Sequence, residues 1–154
     1  ADNIRLNNDS ITDEEIIAAC KEVNAIHFIN KHEEGIYAKV GERGNNLSLG
    51  ERQLISFARA IIKDPKILIL DDSSSALDFK TDLALRNAIN KNYLKTTKII
   101  IASRISSIMN ADKIIVLDEG KCVGIGTHKE LLKTCDIYKQ IALSQLSKEE
   151  LENE

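Results

Sequence analysis

The first residues in this chain that could do chemistry are two adjacent acids. Ile67-Leu68-Ile69-Leu70 is an unbroken aliphatic run ending in Asp71-Asp72. That is the pattern of a strand covered on both faces, delivering carboxylates at its carboxyl end, where ligands gather in parallel sheets. One carboxylate in such a place can hold Mg²⁺ through water, and its neighbour can orient an attacking water. The same six residues also describe a plain strand end entering a turn, so the motif needs context. Upstream, Ser48-Leu49-Gly50-Glu51 has the spacing of a capping box, with the serine accepting from the amide three residues on and the glutamate reaching back. A phosphate loop is missing. No Gly-x-x-x-x-Gly-Lys-Ser/Thr occurs, and the one Gly-Lys pair, Gly120-Lys121, runs into Cys122. Any nucleotide chemistry must borrow that cradle from outside this chain.

The elements that must position these residues follow from periodicity. A helix is expected to start near Ser10 or Thr12, where Thr12-Asp13-Glu14-Glu15 fits a capping box, with Ile16, Ile17, Ala19, Cys20 and Val23 at helical spacing and first-turn acids suiting the macrodipole. A short helix is expected over 25–30 and a glycine-bearing loop over 31–46. The helix begun by Ser48 carries Leu54, Ile55, Ala58, Ile61 and Ile62 on one stripe and stops before Pro65, the single proline. Residues 80–93 read as helix and 98–102 as a second buried strand. Strands over 113–117 and 122–125 flank Asp118-Glu119-Gly120-Lys121, a hairpin turn. Helices are expected over 129–133 and 137–144, then an acidic tail over 148–154.

Composition narrows the classes. The chain has 154 residues, 43% hydrophobic and 29% charged, which suits one ordinary globular domain. With 21 basic and 24 acidic residues the net charge is -3, which disfavours a nucleic-acid binder. No aliphatic run nears the ~20 residues of a membrane span, and no signal peptide is read. Cys20, Cys122 and Cys135 form no CxxC pair, so neither a zinc site nor a disulfide framework is indicated and a reducing compartment is the default. The chain opens Ala1-Asp2-Asn3 without an initiator methionine, as a piece of a longer protein would. His27, His32 and His128 are scattered, with surface or packing roles expected, and Tyr37 is expected to pack.

In order and spacing, these motifs resemble the ATP-binding-cassette (ABC) ATPases. Leu47 to Glu51 looks like the Leu-Ser-Gly-Gly-Gln signature, and 67–72 like the Walker B strand. Residues 75–78 look like the D-loop and 100–104 like the switch-histidine strand. Val40-Gly41-Glu42-Arg43-Gly44 resembles the segment with which exporter-type cassettes contact their membrane domains. The likeness runs from Asp2 through Leu132. It implies an ATP and Mg²⁺ sandwich, each nucleotide lying between Walker A and B of one cassette and the signature of the other. Ser48, Leu49, Gly50 and Glu51 would then face the partner's ATP, since a serine hydroxyl and open amides at a helix start form an anion site. Plain capping by Ser48 is compatible with this. Asp71 would hold Mg²⁺ through water, Asp72 would position the attacking water, Asp78 would signal between sites, and Ser103 would fill the switch position.

Four departures from the family stand out. The part carrying Walker A and the Q-loop is missing. Asp72 replaces the usual catalytic glutamate, one methylene shorter, and a misplacement of ~1 Å can cost ~100-fold in rate. Ser103 replaces the switch histidine and cannot become a cation. Leu49 and Glu51 replace the first glycine and the glutamine of the signature. Asp72 and Ser103 together point to a degenerate site that binds ATP and hydrolyses it slowly, as in heterodimeric exporters of this family.

The expected fold is α/β, a partial P-loop NTPase. It comprises a helical signature subdomain over 10–64, a mainly parallel core half with C-terminal hairpin and helices over 65–147, and a tail. The implied function is the ATP-binding and ATP-hydrolysing portion of an ABC exporter, at the cytoplasmic face of a membrane. Its partners would be a second cassette and transmembrane domains engaged through 36–50, with no nucleic acid. By itself the chain is expected to be inactive and to self-associate through exposed strand edges and apolar area. Two rivals remain open: a non-binding interaction module, and a soluble cassette of nucleic-acid maintenance, which the acidic pI of about 5.7 disfavours.

Overall fold

The computed structural model describes residues 1–72 and 76–146. The chain divides into two compact units, Ala1–Ile99 and a second that begins at Ile100.

In the first unit, Thr12 caps helix α2 (Asp13–Glu22) with both halves of the capping box in place. Helix α1 (Asp2–Arg5), which the sequence reading does not anticipate, precedes it, and α3 (Ile26–Ile29) follows. The expected loop contains single 3-10 turns at Gly35–Tyr37 and Glu42–Gly44. Helix α4 (Leu49–Ile61) buries Leu54, Phe57, Ala58 and Ile61 against α1 and α2. Phe57 joins the stripe that Ile55 and Ile62 only half enter. Arg59 ties this helix to α1 by donating from Nε to the Asn3 carbonyl at 2.6 Å.

Strand β1 (Ile67–Asp71) leads through α5 (Phe79–Asn92) to β2 (Thr97–Ile101), and the two strands are hydrogen-bonded neighbours. The Thr97 amide donates to the Lys66 carbonyl at 3.0 Å. Both strands therefore start at the same end and run parallel, as a crossover through a helix requires. Their burial differs from expectation. Leu68 is buried, whereas Ile67 and Ile69 are 59% and 62% exposed, and no residue of β2 is buried. Strand side chains alternate between faces, and one face of β1 carries no packing layer among the described residues.

The second unit is a hairpin with two helices. Strands β3 (Ile114–Asp118) and β4 (Lys121–Gly126) are antiparallel. They turn through Glu119 and Gly120, whose φ values of 45° and 75° give the left-handed pair of a type I′ turn. Val116 faces Gly124 while Leu117 faces Cys122, so Val123 is an extra residue. This bulge sets Cys122 on the open face with Leu117. Ile114 and Val116 pack the other face against α6 (His128–Thr134) and α7 (Asp136–Gln145). His128 is buried, and its Nδ1 lies 2.7 Å from the Tyr138 hydroxyl. Of the remaining histidines, His27 and His32 are exposed.

Candidate functional site

The first unit holds both the candidate acids and the candidate anion-binding helix start. Asp71 is the last residue of β1 and Asp72 follows it, both exposed. Asp72 takes a left-handed φ of 42°, which aspartate tolerates better than most residues. Residues 73–75, including Ser75 at the start of the D-loop-like run, lie outside the described residues. Asp78 is the N-cap of α5, accepting from the Thr81 amide at 3.0 Å and the Thr81 hydroxyl at 2.7 Å. These bonds from Thr81 hold its carboxyl below the usual range. A capping role is thus visible at the position read as an inter-site signal.

Ser48 caps α4. Its Oγ accepts from the Glu51 amide at 3.2 Å, and its own amide donates to Glu51 Oε2 at 2.8 Å. Because Oγ is an acceptor here, the serine O–H stays available to a ligand oxygen. Leu49 is exposed. Gly50 lies close to the chain after the acids, since a Cβ there would meet the Ala76 carbonyl oxygen at 3.3 Å and Leu77 at 3.5 Å. Gln53 strengthens this link, its Oε1 accepting from the Ala76 amide at 3.2 Å. The start of α4 and the approach to α5 are therefore built as one piece.

The segment before α4 has its own brace. Asn46 Oδ1 accepts from the Gly41 amide at 2.7 Å, and its Nδ2 donates to the Lys39 carbonyl at 2.9 Å. An open, largely apolar recess lies beside it, lined in part by Ile4, Phe28, Ile36, Val40 and Leu47. Tyr37 does not pack. It is 64% exposed on its short turn, where the ring has no core to enter. Its hydroxyl donates to Asp13, which Arg5 also grips at 2.6 Å. The Tyr37 bond, then Arg5, holds the Asp13 carboxyl low.

In the second unit, Ser103 is exposed after β2 and its carbonyl accepts from Gln145 Nε2 at 2.9 Å. The sequence reading gives Gln145, Asn46 and Gln53 no positioning role. Asn46 sits only a few residues from its partners, so an asparagine beside a glycine loop was a usable signal. Gln145 has none, because 42 residues separate it from Ser103.

Among the described residues, no three His, Cys, Asp or Glu side chains gather into a metal cage. An exposed carboxylate at a strand end fits the way Mg²⁺ is usually held, by one or two carboxylates with water and substrate phosphates. The exposed start of α4 fits an anion. No helix of the described residues is long and apolar enough to cross a membrane.

The chain is similar to known proteins over most of its length. The ABC transporter family model matches residues 2–75. ABC transporter B family member 2 of Dictyostelium discoideum is 46% identical over 145 residues, 94% of this chain and 10% of that protein. The beta-(1→2)glucan export ATP-binding/permease protein NdvA of Agrobacterium vitis is 45% identical over 131 residues, 85% of this chain and 22% of that protein. A solved structure of a bacterial Atm1-family ABC exporter with ATP bound matches with a TM-score of 0.88 and 34% identity, over 96% of this chain and 26% of that one. The chain spans about a tenth to a quarter of the length of these relatives.

Proposed function

Because this chain is an ABC-exporter ATP-binding-domain sequence, homologous to its relatives over most of its length, we propose that it serves as part of the ATP-binding and ATP-hydrolysing machinery of a membrane exporter. The observation that carries this is the pair of solvent-facing carboxylates, Asp71 and Asp72, at the carboxyl end of β1 in the unit that also presents the capped start of α4. Asp71 holds Mg²⁺ through water, and Asp72 orients the attacking water. ATP with Mg²⁺ supplies the transferable phosphoryl group, and its phosphate loop comes from residues outside 1–154. The Ser48 hydroxyl and the amides near Leu49, Gly50 and Glu51 hold the ATP of a second cassette, and Asp78 links the two sites. The helical part over 10–64 carries the signature and 65–147 the Walker B half. Residues 36–50 meet the transmembrane domains at the cytoplasmic face, a reading supported by the apolar recess that Ile36, Val40 and Leu47 line.

Hydrolysis that depends on this chain's own carboxylate pair is slow. Asp72 reaches one methylene less far than glutamate, and Ser103 brings no cation to charge developing on the phosphoryl oxygens. In the parent dimer, where the partner cassette supplies the faster site, Asp72→Asn leaves most ATP turnover in place. Turnover that vanishes in this variant with the partner's residues intact overturns the degenerate-site assignment.

A further inference from the structure

Gln145 makes a two-point contact with the loop after β2 that neither the motifs nor the relatives' names account for. Its Nε2 donates to the Ser103 carbonyl at 2.9 Å, and its Oε1 accepts from the Ile105 amide at 2.8 Å. A carbonyl at one residue and an amide two residues on is the pair that a neighbouring parallel strand would engage. Strand β2 ends at Ile101, so the side-chain amide supplies strand-like bonding just beyond the end of the strand. Both polar ends of the glutamine are used, and only one orientation of the amide satisfies both partners.

The contact has a firm base. Gln145 closes α7, whose Tyr138 and Ala142 are buried in the core of the second unit. Ile105 is itself buried there, 3% exposed. The loop is therefore pinned by an apolar anchor at residue 105 and by the Gln145 amide at 103 and 105. Ser103 and Arg104, both exposed, are directed by backbone held from α7. Asn46 makes the same contact with the Lys39 carbonyl and Gly41 amide, so one device recurs at two loops with proposed roles.

We propose that Gln145 is a positioning residue: it holds the 103–105 loop and so sets where the Ser103 side chain stands. Its relevance to ATP rests on the reading of Ser103 as the switch position.

Two measurements test this, and their failures differ. In the full chain, amide hydrogen exchange is followed at Ile105 with Leu131 and Ala142 as internal references. Gln145→Met, similar in size without the amide, accelerates exchange at Ile105 roughly tenfold and leaves the references unchanged. Gln145→Glu keeps the acceptor for the Ile105 amide and restores most of that protection. Unchanged exchange in Gln145→Met, or loss of protection equally at all three amides, overturns the proposal. In the parent protein, the ATP concentration that half-maximally competes with azido-ATP photolabelling of this cassette is compared among Gln145→Met, Gln145→Glu and Ser103→Ala. A shift in Gln145→Met matching that of Ser103→Ala, partly reversed in Gln145→Glu, supports positioning. A shift in Ser103→Ala alone overturns it while the switch reading stands. If Ser103→Ala is silent, the switch reading falls and the role of Gln145 toward ATP falls with it, whatever the exchange result says of the clamp.

Discussion

At the start of α4 the Glu51 carboxylate receives the Ser48 amide at 2.8 Å. A negative side chain in a first turn is favoured by the helix macrodipole, so this residue suits the helix. The same charge stands beside the amides that would receive a phosphate, where the neutral glutamine of the family signature would not compete. Folding and chemistry pull in opposite directions at this one position. The cysteines differ in another way. Cys122 is exposed, whereas Cys20 and Cys135 are buried. Burial pushes the Cys20 thiol up to about 11, since a low-dielectric surrounding disfavours the thiolate. Iodoacetamide therefore alkylates the exposed Cys122 in the folded chain and leaves Cys20 unmodified even at pH 9. Mass spectrometry of the iodoacetamide-treated protein checks this, and rapid labelling of Cys20 would contradict its enclosure.

Among the described residues, three helices begin with the same reciprocal cap: Thr12 with Glu15, Ser48 with Glu51, and Thr127 with Glu130. The first two are expected from spacing. The third has the same signature in Thr127-His128-Lys129-Glu130, yet the short apolar pattern after it hid the start. Thr127→Ala should lower the stability of the second unit by about 1 kcal/mol, whereas Thr127→Ser should change it little. Urea unfolding followed at the second unit measures both, and equal midpoints for Ala and Ser would show that the cap contributes nothing. The strands were legible as elements but not in their surroundings. A continuous aliphatic run signals two covered faces, and here Ile67 and Ile69 stand open.

At the scale of the whole molecule, each unit has an apolar sheet face that the described residues leave uncovered. In the first, Ile67 and Ile69 are exposed, and in the second, Ile115, Leu117 and Ile125 are each about 59–69% exposed. Contiguous apolar area of this kind marks a surface that another chain or segment covers, and the net charge of -3 offers little repulsion against it. The chain alone should therefore associate with itself as its concentration rises. Light scattering checks this through apparent mass, and a monomer across the accessible range would contradict it. Replacing Leu117 and Ile125 together by lysine should reduce the association, because both lie on the open face of the hairpin.

What the sequence determined by itself was local. Capping spacing, the single proline and the Glu119-Gly120 turn set where α2, α4 and the hairpin begin and end, because each rests on residues within one turn of one another. The order of the carboxylate pair, the signature-like helix start and the switch-like strand carried the family likeness for the same reason, being runs of adjacent residues. Tertiary structure decided whatever joins distant parts of the chain. The bulge at Val123 depends on pairing with Val116 and Leu117, and so does the place of Cys122 on the open face. The grip of Gln145 on Ser103 and Ile105 depends on α7 folding back within its unit. Periodicity records which faces are apolar, whereas a side-chain amide 42 residues from its partner leaves no trace until packing brings the two together.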